Sequence, residues 1–303
     1  MSSTYIQARR EWLLASQNRD GGWGYFPDAQ SWLEPTIYAM LALHGREEAK
    51  AALERGWRLV RGWQMPDGAW RPAAGIDQPC WATALAVTLH CVRGAHDEPF
   101  RRGVRWLVGT KGAEGTLVNR MLHWLRPTLI GHDSTLLGWP WVPETTSWVE
   151  PTAHALVALK KARAALGVGG LPEPAALGER VRTAERMLLN RRCRDGGWNY
   201  GNRQVLGEWV ASYPETTAVA LLGLHGNGNF DRDRALDGVV RLHGQTRSRL
   251  ARAWLALCLR TYGRTPGPVE VDTHPPRDLM LAALETLACA EGNHALLGVE
   301  GRA

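Results

Sequence analysis

A four-residue segment, Asp-Gly-Gly-Trp, occurs at Asp20 to Trp23 and again at Asp195 to Trp198, with a near copy, Asp67-Gly-Ala-Trp70, between them. Each copy follows a run of helical character: Trp12-Leu-Leu-Ala-Ser-Gln17 before the first, Trp57 and Gln64 before the second, and Met187-Leu-Leu189 before the third. Arg102-Gly-Val-Arg-Trp106-Leu and Asp237-Gly-Val-Val-Arg-Leu242 read as weaker copies that have lost the Gly-rich loop. A unit repeated in this way cannot bury its apolar face alone and must stack on its neighbours. The usual expectation of about two compact domains for 303 residues therefore does not apply, and the chain reads as one domain over 1–303.

A second element follows each loop. Its copies are Glu34-Pro-Thr-Ile-Tyr-Ala-Met-Leu-Ala-Leu43, Asp77-Gln-Pro-Cys-Trp-Ala-Thr-Ala-Leu-Ala-Val87, Glu150-Pro-Thr-Ala-His-Ala-Leu-Val-Ala-Leu159 and Glu215-Thr-Thr-Ala-Val-Ala-Leu-Leu-Gly-Leu224. These segments are apolar nearly all round, so they belong inside; the preceding ones carry Arg and Glu on one side and belong outside. An acid followed by Pro starts a helix, because Pro is tolerated in the first turn and the carboxylate faces the positive end of the dipole. Gly45, Gly94 and Gly226 stop the helices at their other ends. The expected fold class is all-α, an α/α toroid of about five to six hairpins. Inner helices are expected over 33–44, 79–93, 149–162, 215–225 and 250–262, with a closing helix over 277–291. Long loops are expected over 127–147, in the role of a lid or mouth, and over 167–174.

The composition narrows the function classes. Fifteen Trp against three Phe point to a recurring motif rather than a generic core. The net charge of +6 is spread along the helices without a dense basic run, which argues against a nucleic-acid partner. Five Cys in an odd count, with no Cys-x-x-Cys pair, suit reduced thiols and a cytoplasmic setting. No apolar h-region opens the chain, and no stretch approaches the ~20 residues that span a bilayer, although peripheral membrane contact is compatible with this. Phosphate loops, dinucleotide fingerprints and nucleophile elbows are absent, so the motifs call for no cofactor.

Parallel inner helices place their first-turn acids at one end of the barrel. Glu34, Asp77, Glu150 and Glu215 are expected to ring that mouth, able to hold a cation or to stabilise a carbocation; each is also explained as a helix-start residue. His154 lies one turn beyond Glu150 on the same face and is placed to tune it. Trp32, Tyr38, Trp81, Trp139, Trp141 and Trp148 are candidate substrate-binding rings, with Trp209 less regularly placed; aromatic faces stabilise cations by about 0.5–2 kcal/mol each. Packing of helix and loop ends accounts for the same rings. A zinc site would need Asp77 and Cys80 with His90 or His154, at a spacing that specifies no third ligand, so no metal is expected.

The units Arg10-x-Trp12-Leu13-x-x-x-Gln17 with Asp20-Gly-Gly-Trp23, and Arg186-x-Leu188 with Asp195-Gly-Gly-Trp198, resemble the Gln/Trp repeat of squalene-hopene cyclases. The chain is thereby similar to the terpenoid cyclase and protein prenyltransferase superfamily, sharply over about half its length. That resemblance implies an α/α toroid that binds an apolar isoprenoid or lipid. If catalytic, it implies a protonation-initiated cyclase or isomerase. The family's acid motif, Asp-x-Asp-Asp-Thr, is missing here; aligned on Thr152-Ala153, Glu150 stands where the family's proton donor stands, with Trp148 and Pro151 in place of its other acids. Squalene cyclases are roughly twice this length. A non-catalytic lipid- or protein-binding toroid, and a carbohydrate-active α/α barrel with paired carboxylates, are the alternatives.

Overall fold

The computed structural model describes residues 3–115, 131–267, 272 and 274–289. Residues 116–130 lie outside this set, and with them the start of the expected 127–147 loop; so do 290 and 291 of the expected closing helix. The described helices are α1 (Ser3–Ala15), α2 (Leu33–Leu43), α3 (Lys50–Gly62), α4 (Thr83–Val92), α5 (Glu98–Gly109), α6 (Val149–Gly170), α7 (Pro174–Asn190), α8 (Pro214–Gly223), α9 (Arg232–Gln245), α10 (Arg249–Thr261) and α11 (Leu279–Cys289). Strands β1 (Gln204–Val205) and β2 (Glu208–Trp209) pair as one small antiparallel hairpin.

Six helices form an inner ring. Helix α2 packs on α4, α4 on α6, α6 on α8, α8 on α10, α10 on α11, and α11 returns to α2, so the all-α toroid is closed. Helices α1, α3, α5, α7 and α9 lie outside it. Every residue of α2 except Glu34 is buried, as an all-round apolar sequence requires. Outer helices α5 and α9 are capped by Asp97, which accepts from the Phe100 N–H, and by Asp231, which accepts from the Arg234 N–H.

One tryptophan locks each of the first four hairpins. The Trp23 backbone N–H donates to Thr36 Oγ1 at 2.9 Å, and its indole Nε1–H donates to the Leu13 carbonyl at 2.7 Å. Trp70 makes the same pair with Thr83 (3.0 Å) and Val60 (2.8 Å), and Trp198 with Thr217 (2.9 Å) and Leu188 (2.6 Å). Trp139 does so with Thr152 and Leu107, both at 2.9 Å. Each ring is buried between an outer helix end and an inner helix start, with both N–H groups satisfied, which a buried indole needs. Trp139 is therefore the clamp of the third unit. The third unit has kept its loop glycine and tryptophan, Gly138-Trp139, behind an insertion that places Trp139 thirty-two residues from Leu107 instead of the usual ten.

Two boundaries differ from the sequence reading. Helix α4 starts at Thr83, four residues after the expected position, because the Trp81 N–H donates across to the Trp141 carbonyl at 2.9 Å and holds the preceding segment as a turn. Helix α6 runs through the first half of the expected 167–174 loop, as far as Gly170, with a kink at Gly167, whose φ of +63° leaves helical geometry.

Candidate functional site

The Thr acceptors of the clamps set a common register. Counting two residues back from each gives Glu34, Trp81, Glu150 and Glu215 at the mouth. The second unit thus contributes Trp81 to this layer. Asp77 does not join the other acids: its side chain is three-quarters exposed and pairs with Arg71 at 2.6 Å. Cys80 is buried, donating to the Trp70 carbonyl at 3.6 Å. The two residues of the weighed zinc pair therefore face different surroundings, and among the described residues no three metal-ligating side chains converge.

Glu34, Glu150 and Glu215 sit in the first turns of α2, α6 and α8 and are each only partly accessible to solvent. Tyr25 Oη donates to Glu34 Oε2 at 2.5 Å. Burial raises the Glu34 carboxyl pKa, the Tyr25 bond opposes that shift, and Asp278 adds to it. Glu150 is pushed up to about 8, by burial first and then by Glu34 and Glu215. Among the described residues Glu150 has no hydrogen-bond donor, so nothing offsets those effects. Glu215 accepts from Ser248 Oγ at 3.4 Å.

Four residues beyond the carboxyls, one helical turn along the inner helices, lies an aromatic layer. Tyr38 and His154 occupy equivalent positions on α2 and α6, with Tyr38 Oη and His154 Nε2 at 3.4 Å. His154 lies 5.1 Å from Trp81 and 6.0 Å from Trp254, centroid to centroid; Tyr38 stands edge-on to Trp254 at 5.9 Å. Burial lowers the His154 pKa to about 3, leaving a neutral imidazole whose hydrogen-bond partner is Tyr38. Burial, Glu34 and Glu150 together raise the Tyr38 hydroxyl well above its ordinary value. These four rings pack on one another around His154, with Tyr38 and His154 one helical turn beyond Glu34 and Glu150. Trp141 extends the cluster, edge-on to Trp81 at 5.2 Å.

The remaining candidates have structural places. Trp32 and Trp148 are the N-cap residues of α2 and α6, and each donates its N–H to the carbonyl of the clamp tryptophan before it, both at 3.0 Å. Trp32 lies 6.1 Å from Tyr25. Trp209 is exposed on β2 under the Arg203 guanidinium. Tyr25 and Trp254 were not singled out in the sequence. A signal for Tyr25 existed: an aromatic residue stands two positions after three of the clamps, as Tyr25, Trp141 and Tyr200. Trp254 sits on α10, whose unit lacks the loop motif.

No family model matches the chain. It is 27% identical over 236 residues to drimenyl diphosphate synthase from Streptantibioticus cattleyicolor, a match covering 76% of this chain and 38% of that one. The chain thus spans well under half the length of that relative. A structure of the type II terpene cyclase MstE from Scytonema with geranylgeranyl dihydroxybenzoate, its substrate, superposes with a TM-score of 0.54 at 19% identity, covering 94% of this chain and 77% of that one. An alpha-amylase from Clostridium perfringens superposes with a TM-score of 0.60 at 10% identity, covering 95% and 98%. Taken with the Trp clamps and the closed inner ring, these likenesses give the chain the α/α-toroid fold of the terpenoid cyclase superfamily.

Proposed function

We propose that the chain binds an isoprenoid at the acid-lined mouth and catalyses a protonation-initiated cyclisation or isomerisation, with Glu150 as the acid. The observation that carries this is Glu150 itself: a carboxyl without a hydrogen-bond donor among the described residues, still protonated at neutral pH, one helical turn before His154 and the rings packed on it. The substrate's apolar chain would lie on Trp81, Tyr38 and Trp254. The Glu150 proton passes to an alkene carbon, forming a C–H bond and leaving a tertiary carbocation. A second alkene closes on that cation, or a neighbouring C–H gives up its proton; in both routes the final proton returns to the Glu150 carboxylate. A carboxyl near pKa 8 is a weak acid toward an alkene. The step therefore leans on cation stabilisation by the rings, about 0.5–2 kcal/mol each, and by Glu34 and Glu215.

Among the described residues no helix is long and apolar enough to cross a membrane. The β1–β2 hairpin, at the same end as the mouth, carries Leu206 at 91% exposure beside half-exposed Val205 and Trp209. Such a tip suits peripheral contact with a lipid surface from which an apolar substrate would enter.

The test is mass spectrometry of products after incubation with geranylgeranyl diphosphate, geranylgeraniol and squalene. Wild type should yield a cyclised or isomerised product that Glu150→Gln does not. No product and no retained isoprenoid on any substrate would sink the reading. The alpha-amylase likeness, with carboxyls gathered at one mouth, favours a glycoside hydrolase as the second reading. Sugar release from maltooligosaccharides that depends on Glu150 would select it.

A further inference from the structure

The fourth unit is built like the first two, except along the seam to the next outer helix. In the first, Gln17 Nε2 donates to the Gly21 carbonyl at 2.7 Å and to the Ala52 carbonyl of α3 at 2.8 Å, and Arg55 of α3 donates back to Gln17. In the second, Gln64 does the same to Gly68 and Pro99, and Arg102 of α5 donates back to it at 2.6 Å. The loop backbone there lies against the next helix: a Cβ on Gly21 or Gly68 would stand 2.7 Å from the carbonyl oxygen of Arg55 or Arg102.

In the fourth unit Arg192 replaces the glutamine. Its Nε donates to the Gly196 carbonyl at 2.6 Å, the same i to i+4 bond, but the arginine on the facing helix is replaced by Asp237, which pairs with Arg264 at 2.7 Å instead. A Cβ on Gly196 would meet only the Arg192 side chain, and one on Gly238 of α9 only that of Arg241. The seam is open, and a cavity of about 500 Å³ fills it. Five arginines line it, Arg192, Arg194, Arg203, Arg234 and Arg241, with Asp195 as the one acid. Both oxygens of Asp195 are taken by backbone N–H groups, Oδ1 by Gly197 at 3.1 Å and Oδ2 by Ser212 at 2.9 Å.

We propose that this open seam is a binding site for a multiply charged phosphoryl anion, a diphosphate or a clustered phosphate headgroup. Guanidinium forks suit such oxygens, and a lining this strongly cationic is relieved by an anion. Burial first, and then the like charge of Arg234, lowers the Arg192 pKa, with Asp231 and Asp195 opposing. The site lies on the outer side of the Asp195–Trp198 turn and stands independently of the isoprenoid reading. The experiment is isothermal titration with inorganic pyrophosphate at physiological ionic strength, alongside flotation with phosphatidylcholine vesicles containing phosphatidic acid. Arg192→Gln restores the residue of the first two units and so preserves the turn; combined with Arg234→Ala it should weaken binding by roughly tenfold or more. Arg163→Gln with Arg182→Gln, in the separate groove between α6 and α7, should leave it unchanged. Saturable pyrophosphate binding lost in the first double variant supports a free diphosphate ligand. Vesicle binding alone, lost in the same variant, supports a headgroup. Absence of both, or equal binding by wild type and that variant, overturns the proposal.

Discussion

The seam below the second unit and the seam below the fourth use one template to opposite ends. In the former, Trp70 meets Gly103 of α5, whose added Cβ would stand 2.7 Å from the ring, and Gln64 bonds both sides. In the latter, the clamp Trp198 is intact, yet no part of its ring lies within 4 Å of the corresponding position on Gly238. The lesson is that the clamp fixes a hairpin internally while the glutamine and glycine fix hairpin to hairpin. The second function can be given up locally without losing the first.

The largest expected effect is loss of a clamp. Trp70→Ala should cost about 3–5 kcal/mol in chemical denaturation, since it empties a buried ring site and leaves the Val60 carbonyl without its donor. Trp198→Ala should cost less, because the neighbouring seam is already open. Equal losses would break the distinction between the two seams. Next come the glycines. Gly21→Ala meets both a positive φ of +95° and a carbonyl at 2.7 Å, so about 2–3 kcal/mol is expected. Gly196→Ala shares the φ, at +94°, but meets only a movable guanidinium at 3.3 Å, and should cost about 1 kcal/mol.

Much of this was legible in the residues. The Asp-Gly-Gly-Trp turns and the Glu-x-Thr helix starts marked the hairpins, their alternation and the three acids Glu34, Glu150 and Glu215. The clamp role of Trp139 was not legible because its insertion separates it from its outer helix and removes the Asp that marks the other turns. Asp77 was misassigned because it was read as the starting acid of a helix over 79–93, whereas α4 begins only at Thr83. Register could have corrected it: the clamp-accepting threonine, and not the nearest acid, marks the common position. Trp254 carries no local motif, and only closure of the ring brings it to Tyr38 and His154.

Smaller effects concern the mouth, where α6 and α8 meet. The Glu150 pKa is raised from 4.5 to about 8 in the folded chain, so the folded state holds a proton that the unfolded state releases between those values. Its contribution is therefore neutral below about pH 4.5, grows destabilising as pH rises toward 8, and stays at its full cost above that. Glu150→Gln should leave stability unchanged at pH 4 and raise it by about 1 kcal/mol or more at pH 8.5, read from denaturant midpoints. A difference that grows toward acid would contradict the buried-acid cluster. The smallest change is Asp77→Ala, which removes an exposed pair with Arg71 and should shift stability by less than about 0.5 kcal/mol. A larger loss in thermal melts would return Asp77 to the mouth.

Helix α1 docks on α11, and Arg9 of α1 and Arg249 of α10 share Glu285, at 2.7 and 2.8 Å, so the toroid is stitched shut by a buried carboxylate. A ring of fixed circumference cannot gain or lose a hairpin as an open array can, because the closing angle would fail. Novelty in such a chain has to be spliced between existing helices. Both splices, the thirty-two-residue approach to Trp139 and the nineteen-residue span from Trp198 to Thr217, end on residues at the face that holds the carboxyls. Ring closure thus confines architectural change to the rim, where it can reshape what enters while leaving the walls as they are.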